Sequence, residues 1–150
     1  MTQLYFEDLS VGQKFGTGRF KVDAARIKSF AAEFDPQPFH LDETAAEKSL
    51  LRGLAASGWH TAAITMRLLV DGEFKPAGGI LGAGFDQLQW PHPVRPGDEL
   101  RAESEILELR PSKSKPEIGV VRVRVTTLNQ AREPVQIFIA NLLIPRRSRS

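Results

Sequence analysis

Residues 117–128 constrain the fold more than any other stretch of this chain. Val121, Val123 and Val125 alternate with Arg122, Arg124 and Thr126. A period of two puts one face of a strand in a core and the other in water. Residues 99–110 and 134–145 are two further long strand candidates. The spans between them, 111–116 and 129–133, are turns by composition. The C-terminal part therefore reads as an antiparallel meander. Another strand is expected over 79–90, which carries Gly79, Gly82 and Gly84, followed by a turn over 91–98.

The earlier part of the chain has a different period. Residues 4–16 read as an irregular lead-in with a turn at 10–13, and 14–22 as a first strand broken by Gly16 and Gly18. Asp23 is placed as an N-cap. Behind it Ile27, Phe30, Ala31 and Phe34 fall on one stripe of a helix that Asp35 and Pro36 end. Asp42 or Thr44 caps a short helix reaching about Leu50. The strongest helix lies between Ser57 as N-cap and Gly72 as C-cap. Its apolar face is read as Trp59, Ala62, Ala63, Met66, Leu69 and Val70, with small residues in the first half and Arg67 in solvent. Helices followed by a run of strands indicate an α+β fold, with the long helix lying across the sheet. The 150 residues suffice for one domain with a real core, and no internal repeat or linker divides them.

Composition removes several classes of function. There is no cysteine, which excludes disulfides, thiolate catalysis and cysteine-bound metals. The formal net charge is +2, and the excess of base sits in a tail holding Arg146, Arg147 and Arg149. That tail reads as a frayed terminus rather than a nucleic-acid footprint. No apolar run is long enough to cross a bilayer, and residues 1–8 lack a signal-peptide core. A soluble, cytoplasmic protein without nucleic-acid or membrane partners is the expectation.

The chemistry is concentrated in Asp35-Pro36-Gln37-Pro38-Phe39-His40. Two prolines argue against an ordinary helix there, and Gln37 is pushed towards extended backbone by Pro38. A carboxylate and an imidazole presented by one short rigid segment can share a water and move protons near neutral pH. A turn with surface decoration is the plain alternative. His60, near the helix start, reads as a packing or capping residue, and His92, between prolines, as solvated. His40 and Asp42 have no second cluster to make a metal site with, and no glycine-rich phosphate loop is present. Arg67, Arg95, Lys113 and Lys115 are candidates to meet a nucleotide phosphate.

The segment from Asp35 to His40, with Ala46 six residues further on, resembles the hydratase-2 motif of MaoC-like dehydratases. The resemblance extends to Ser57-Gly58-Trp59-His60 at the helix start, to Pro93-Val94-Arg95-Pro96-Gly97-Asp98, to residues 112–116 and to Asn129-Gln130. Phe34, Gln37 and Phe39 depart from the family's glycine, asparagine and aliphatic residue. The resemblance implies a hot-dog fold and reversible hydration of a trans-2-enoyl thioester, such as an acyl-CoA, to its (3R)-3-hydroxyacyl form. It implies Asp35 and His40 as the catalytic pair, the Gly58 N–H as an oxyanion donor, and Gln37 as a residue that holds the pair or touches substrate. No cofactor or metal is implied beyond the CoA of the substrate. A long uncovered sheet edge suggests a homodimer or larger homo-oligomer, with the acyl pocket near the interface. A hot-dog acyl-CoA thioesterase and a non-catalytic acyl-CoA-binding subunit are the competing readings.

Overall fold

The computed structural model describes residues 3–148. A 3₁₀ turn at Phe6–Asp8 is followed by two short strands, β1 (Lys14–Phe15) and β2 (Phe20–Lys21), with Gly16 and Gly18 falling between them. Helix α1 (Ala24–Phe34) starts where Asp23 accepts the Arg26 N–H at 2.8 Å, and it buries Ile27 and Ala31. It ends at Asp35, whose N–H still reaches the Ala31 carbonyl before Pro36 stops the ladder.

The segment expected to be a bend contains a single helical turn, α2 (Pro38–Leu41). Pro38 takes the first helical position, where an N–H has no partner anyway, so the proline starts the turn instead of forbidding it. Gln37 ahead of it is extended, as its neighbour requires. Asp42, not Thr44, caps α3 (Glu43–Glu47), accepting the Thr44 N–H at 3.0 Å.

Helix α4 (Gly58–Asp71) has the expected caps: Ser57 accepts the Trp59 N–H, and Gly72 follows the last turn. The chain then forms β3 (Gly82–Gln89), β4 (Glu99–Pro111), β5 (Ile118–Leu128) and β6 (Pro134–Pro145). All pairings between these strands are antiparallel, in the order β1-β4-β5-β6-β3, with β2 also on β4. Val121, Val123 and Val125 are buried, as the alternation demands. With Leu100, Ile106, Val135 and Ile144 they form the core against which α4 packs on β4 and β6. A sheet wrapped on one long helix is the hot-dog arrangement.

The buried face of α4 is not the one its apolar residues suggested. His60, Thr61, Ile64, Thr65, Leu68 and Leu69 are buried, while Trp59, Met66 and Val70 are exposed. The two threonines can face inward because their hydroxyls are satisfied there. Thr65 Oγ donates to the Thr61 carbonyl at 2.9 Å and accepts from Gln136 Nε2 at 3.2 Å. With its proton so used, the 2.7 Å contact to Thr127 leaves Thr127 as the donor. The basic tail also differs from expectation: Arg146 pairs with Glu7 and Arg147 with Asp8, so the described part is tied down. Arg149 lies outside the described residues. Among the described residues no helix is long and apolar enough to cross a membrane.

Candidate active site

Asp35 and His40 converge. The end of α1 presents Asp35, the turn of α2 presents His40, and Oδ2 of the one lies 3.3 Å from Nε2 of the other. Both side chains are largely buried, at 16% and 7% exposure. The other ring nitrogen of His40 is 2.6 Å from the Ala55 carbonyl. A carbonyl only accepts, so Nδ1 carries a proton, and Nε2 is the ring nitrogen turned towards Asp35. In the cationic ring Nε2 donates to Oδ2; in the neutral ring two acceptors face each other and call for a shared proton or a small donor that serves both.

Gln37 lies beside this pair. Its Nε2 donates to Asp35 Oδ1 at 2.5 Å, so the geometry uses its amide to hold the carboxylate. Burial pushes the Asp35 carboxyl up, but the Gln37 amide, the Ser57 hydroxyl beside it and the charge of His40 outweigh that. The net result lies below the ordinary value of 3.8, and the group is an anion at neutral pH.

Gly58 is the first residue of α4, and no acceptor for its N–H is found among the described residues, as expected for a helix start. Packing gives a reason for glycine here. A Cβ at this position would lie 2.5–2.7 Å from the indole of Trp90. The missing side chain makes room for tryptophan, which closes one side of the helix start. Trp90 Nε1 in turn donates to Gln136 Oε1 at 2.9 Å, which links the helix start to the buried Thr65–Thr127 pair.

Several participants have no signature in the sequence. Ser57 is legible as a cap but not as a neighbour of Asp35. Ala55 acts through a backbone carbonyl, which any residue would supply, and Trp90 reaches Gly58 only through the fold. His60 is buried and stacked on Phe30 at 4.6 Å between ring centroids, with Nδ1 unpartnered. Burial, then the charge of Arg26, push its pKa below 6.5, which fits a packing residue. His92 is exposed and bonds the Pro134 carbonyl. Arg95 does not face solvent phosphates, since its guanidinium contacts the carbonyls of Leu51, Gly53 and Leu54. Among the described residues no three or more His, Asp or Glu side chains gather as a metal would need.

The family model described as MaoC like domain matches residues 8–129. The chain belongs to the MaoC-like domain family. A crystal structure of a MaoC-like dehydratase from Rhodospirillum rubrum is 56% identical and superposes with a TM-score of 0.94, covering 97% of this chain and 99% of that one. The R-hydratase PhaJ1 from Pseudomonas aeruginosa is 27% identical, with a TM-score of 0.75 over 97% of this chain and 88% of its own. The uncharacterized Bacillus subtilis protein YdeM is 35% identical over 138 residues, 92% of this chain and 95% of that protein. The motif, the caps of α4 and the meander of this MaoC-like domain thus sit on a scaffold it shares with these proteins.

Proposed function

We propose that this MaoC-like domain catalyses the reversible hydration of a trans-2-enoyl thioester, of CoA in the simplest case, to the (3R)-3-hydroxyacyl thioester. The observation that carries the reading is the opposed pair: Asp35 Oδ2 and His40 Nε2, 3.3 Å apart, with the proton of the imidazole fixed on Nδ1. The likeness to a MaoC-like dehydratase and an R-hydratase supports it.

A water seated between the pair donates one hydrogen to each acceptor and turns its oxygen towards C3. As that oxygen attacks, one of its protons passes to the pair, and a proton returns from the pair to C2 on the same face. The groups are coupled, so the proton is assigned to the pair and not to one member. The electrons of the double bond move onto the thioester oxygen. The Gly58 N–H, with the positive end of the α4 dipole behind it, stabilises that enolate. Gln37 and Ser57 keep Asp35 in place and ionised.

The apolar cleft between α4 and the sheet, lined by Met66, Leu69, Phe85 and Phe138, suits the acyl tail. Its free volume is about 30 Å³, enough for a water or two, so a longer tail must displace Met66 or Phe85. Met66 lies eight residues beyond Gly58, about 12 Å along the helix, so a four-carbon substrate does not reach it. The partner in this reading is a second copy. β3 is an edge strand, its Phe85 lines the cleft together with Met66 of α4, and Trp59, Met66, Val70 and Phe85 are all exposed. A two-fold axis there pairs β3 with itself and covers the apolar face.

Crotonyl-CoA tests the reaction. The expected result is loss of the enoyl absorbance with no free CoA released, and a product of 3R configuration by chiral chromatography. Release of CoA marks a thioesterase, and a 3S or racemic product removes the stereochemical part of the reading.

A further inference from the structure

Arg95 stands in the turn between β3 and β4, 55 residues beyond His40 in the chain, yet its guanidinium is committed to the segment that leads into α4. One terminal nitrogen donates to the Gly53 carbonyl at 2.8 Å and the Leu54 carbonyl at 3.3 Å. The other donates to the Leu51 carbonyl at 2.5 Å. A carboxylate would be the stronger partner for a guanidinium, but among the described residues none pairs with this one. A charge spent on three backbone acceptors within four residues is a clamp. Gly53 leaves room for it, since a Cβ there would lie 3.0 Å from the guanidinium.

The clamped segment leads directly to the dyad. Ala56 N–H donates to the Val94 carbonyl at 2.9 Å, next to Arg95, and Ala55 N–H donates to the Phe39 carbonyl at 3.3 Å, next to His40. Between those two bonds sits the Ala55 carbonyl, which takes the His40 Nδ1 proton at 2.6 Å. The turn that carries Arg95 is itself anchored. The Arg95 N–H donates to Asp98 Oδ2 at 2.8 Å, and Gln130 donates to Asp98 Oδ1 at 3.0 Å. Asp98 is buried, and Gly97 N–H reaches the Val22 carbonyl at 2.6 Å.

We infer that Arg95 is a positioning residue for the dyad: by holding the carbonyls of Leu51, Gly53 and Leu54 it fixes the Ala55 carbonyl, which keeps a proton on His40 Nδ1 and Nε2 turned towards Asp35. The inference rests on the reading of Asp35 and His40 as the proton-handling pair. Loss of the clamp frees the Ala55 carbonyl to drift, and the imidazole then samples both tautomers and a range of tilts. A misplacement near 1 Å at such a group costs on the order of 100-fold in rate.

The test uses the full chain with ¹⁵N-labelled histidine. Arg95→Met removes all three donations, and Arg95→Lys retains the charge and one or two of them. His40→Ala assigns the His40 ring resonances. In the unaltered protein the His40 ring shifts are expected to show a single Nδ1–H tautomer, and in Arg95→Met a mixture. With crotonyl-CoA, Arg95→Met is expected to lower kcat about 10- to 100-fold with KM changed less than about twofold, and Arg95→Lys to fall between. A single unchanged tautomer in Arg95→Met overturns the inference, whether kcat stays within twofold or falls only in step with the folded fraction. If the unaltered protein turns over no enoyl thioester, the functional reading fails, and the tautomer measurement still decides the role of Arg95.

Discussion

The two faces of α4 depart from the usual arrangement of a surface helix. The inward face mixes His60, Thr61 and Thr65 with Ile64, Leu68 and Leu69, and the outward face carries Trp59, Met66 and Val70 beside Arg67. Thr65 fixes the helix through directional bonds to Gln136 and Thr127 on the sheet. Apolar contacts alone would let a helix rotate or slide against a sheet, whereas a hydroxyl with one proton and two acceptor positions accepts few arrangements. Among the described residues the outward Trp59, Met66 and Val70 make no such side-chain bond. One face of the helix thus locates its N-terminus, and the other is the face that the proposed second copy would cover.

Among substitutions on and around α4, the largest effect is expected at the helix start. Gly58→Ala drives a methyl into the Trp90 indole, so either the ring or the helix start must move. Activity on crotonyl-CoA should fall about 100-fold, as for loss of an oxyanion donor. Trp90→Ala in the same chain should restore part of it, and the ratio of the two variants measures the coupling. Next comes the inward network. Gln136→Leu removes the acceptor of Trp90 Nε1 and one donor to Thr65 at a fully buried site. Chemical denaturation should show a loss of about 1–3 kcal/mol, with a lower midpoint and an unchanged slope.

On the outward face the sign of the comparison reverses. Val70→Glu, at an exposed position outside the cleft, should convert a dimer to monomers in light scattering. The stability of the monomer should stay within about 0.5 kcal/mol, as for exposed positions. The smallest effect belongs to His60. Its folded pKa lies below 6.5, so between the folded value and 6.5 the unfolded chain binds a proton that the folded chain refuses. Stability is therefore lost as pH falls from 6.5 towards the folded value. His60→Phe should flatten that part of the stability–pH curve.

What was legible in the sequence followed from local rules. The alternation of β5, the caps at Asp23, Ser57 and Gly72, and the spacing from Asp35 to His40 all act within a few residues. The face of α4 was not legible. Threonines are read as solvent-facing unless their partners are known, and Thr127 and Gln136 lie 62 and 71 residues from Thr65. The turn in α2 was hidden because a proline within an element and one at its first position look alike. The support of the dyad was hidden as well. Ala55 contributes a main-chain carbonyl, and the Arg95 clamp closes over more than 40 residues. Ser57 carried a signal as a cap, but its place beside Asp35 depends on how α1 meets α4.

The most direct measurement follows the enoyl absorbance of crotonyl-CoA with the unaltered protein, Asp35→Asn and His40→Ala, each confirmed as folded by circular dichroism. Both substitutions should lower turnover about 10²- to 10⁴-fold, the range that positioned acid–base groups supply, with the 3R product formed by the unaltered protein alone at a measurable rate. Turnover that survives intact in either variant would contradict a shared water between these two side chains.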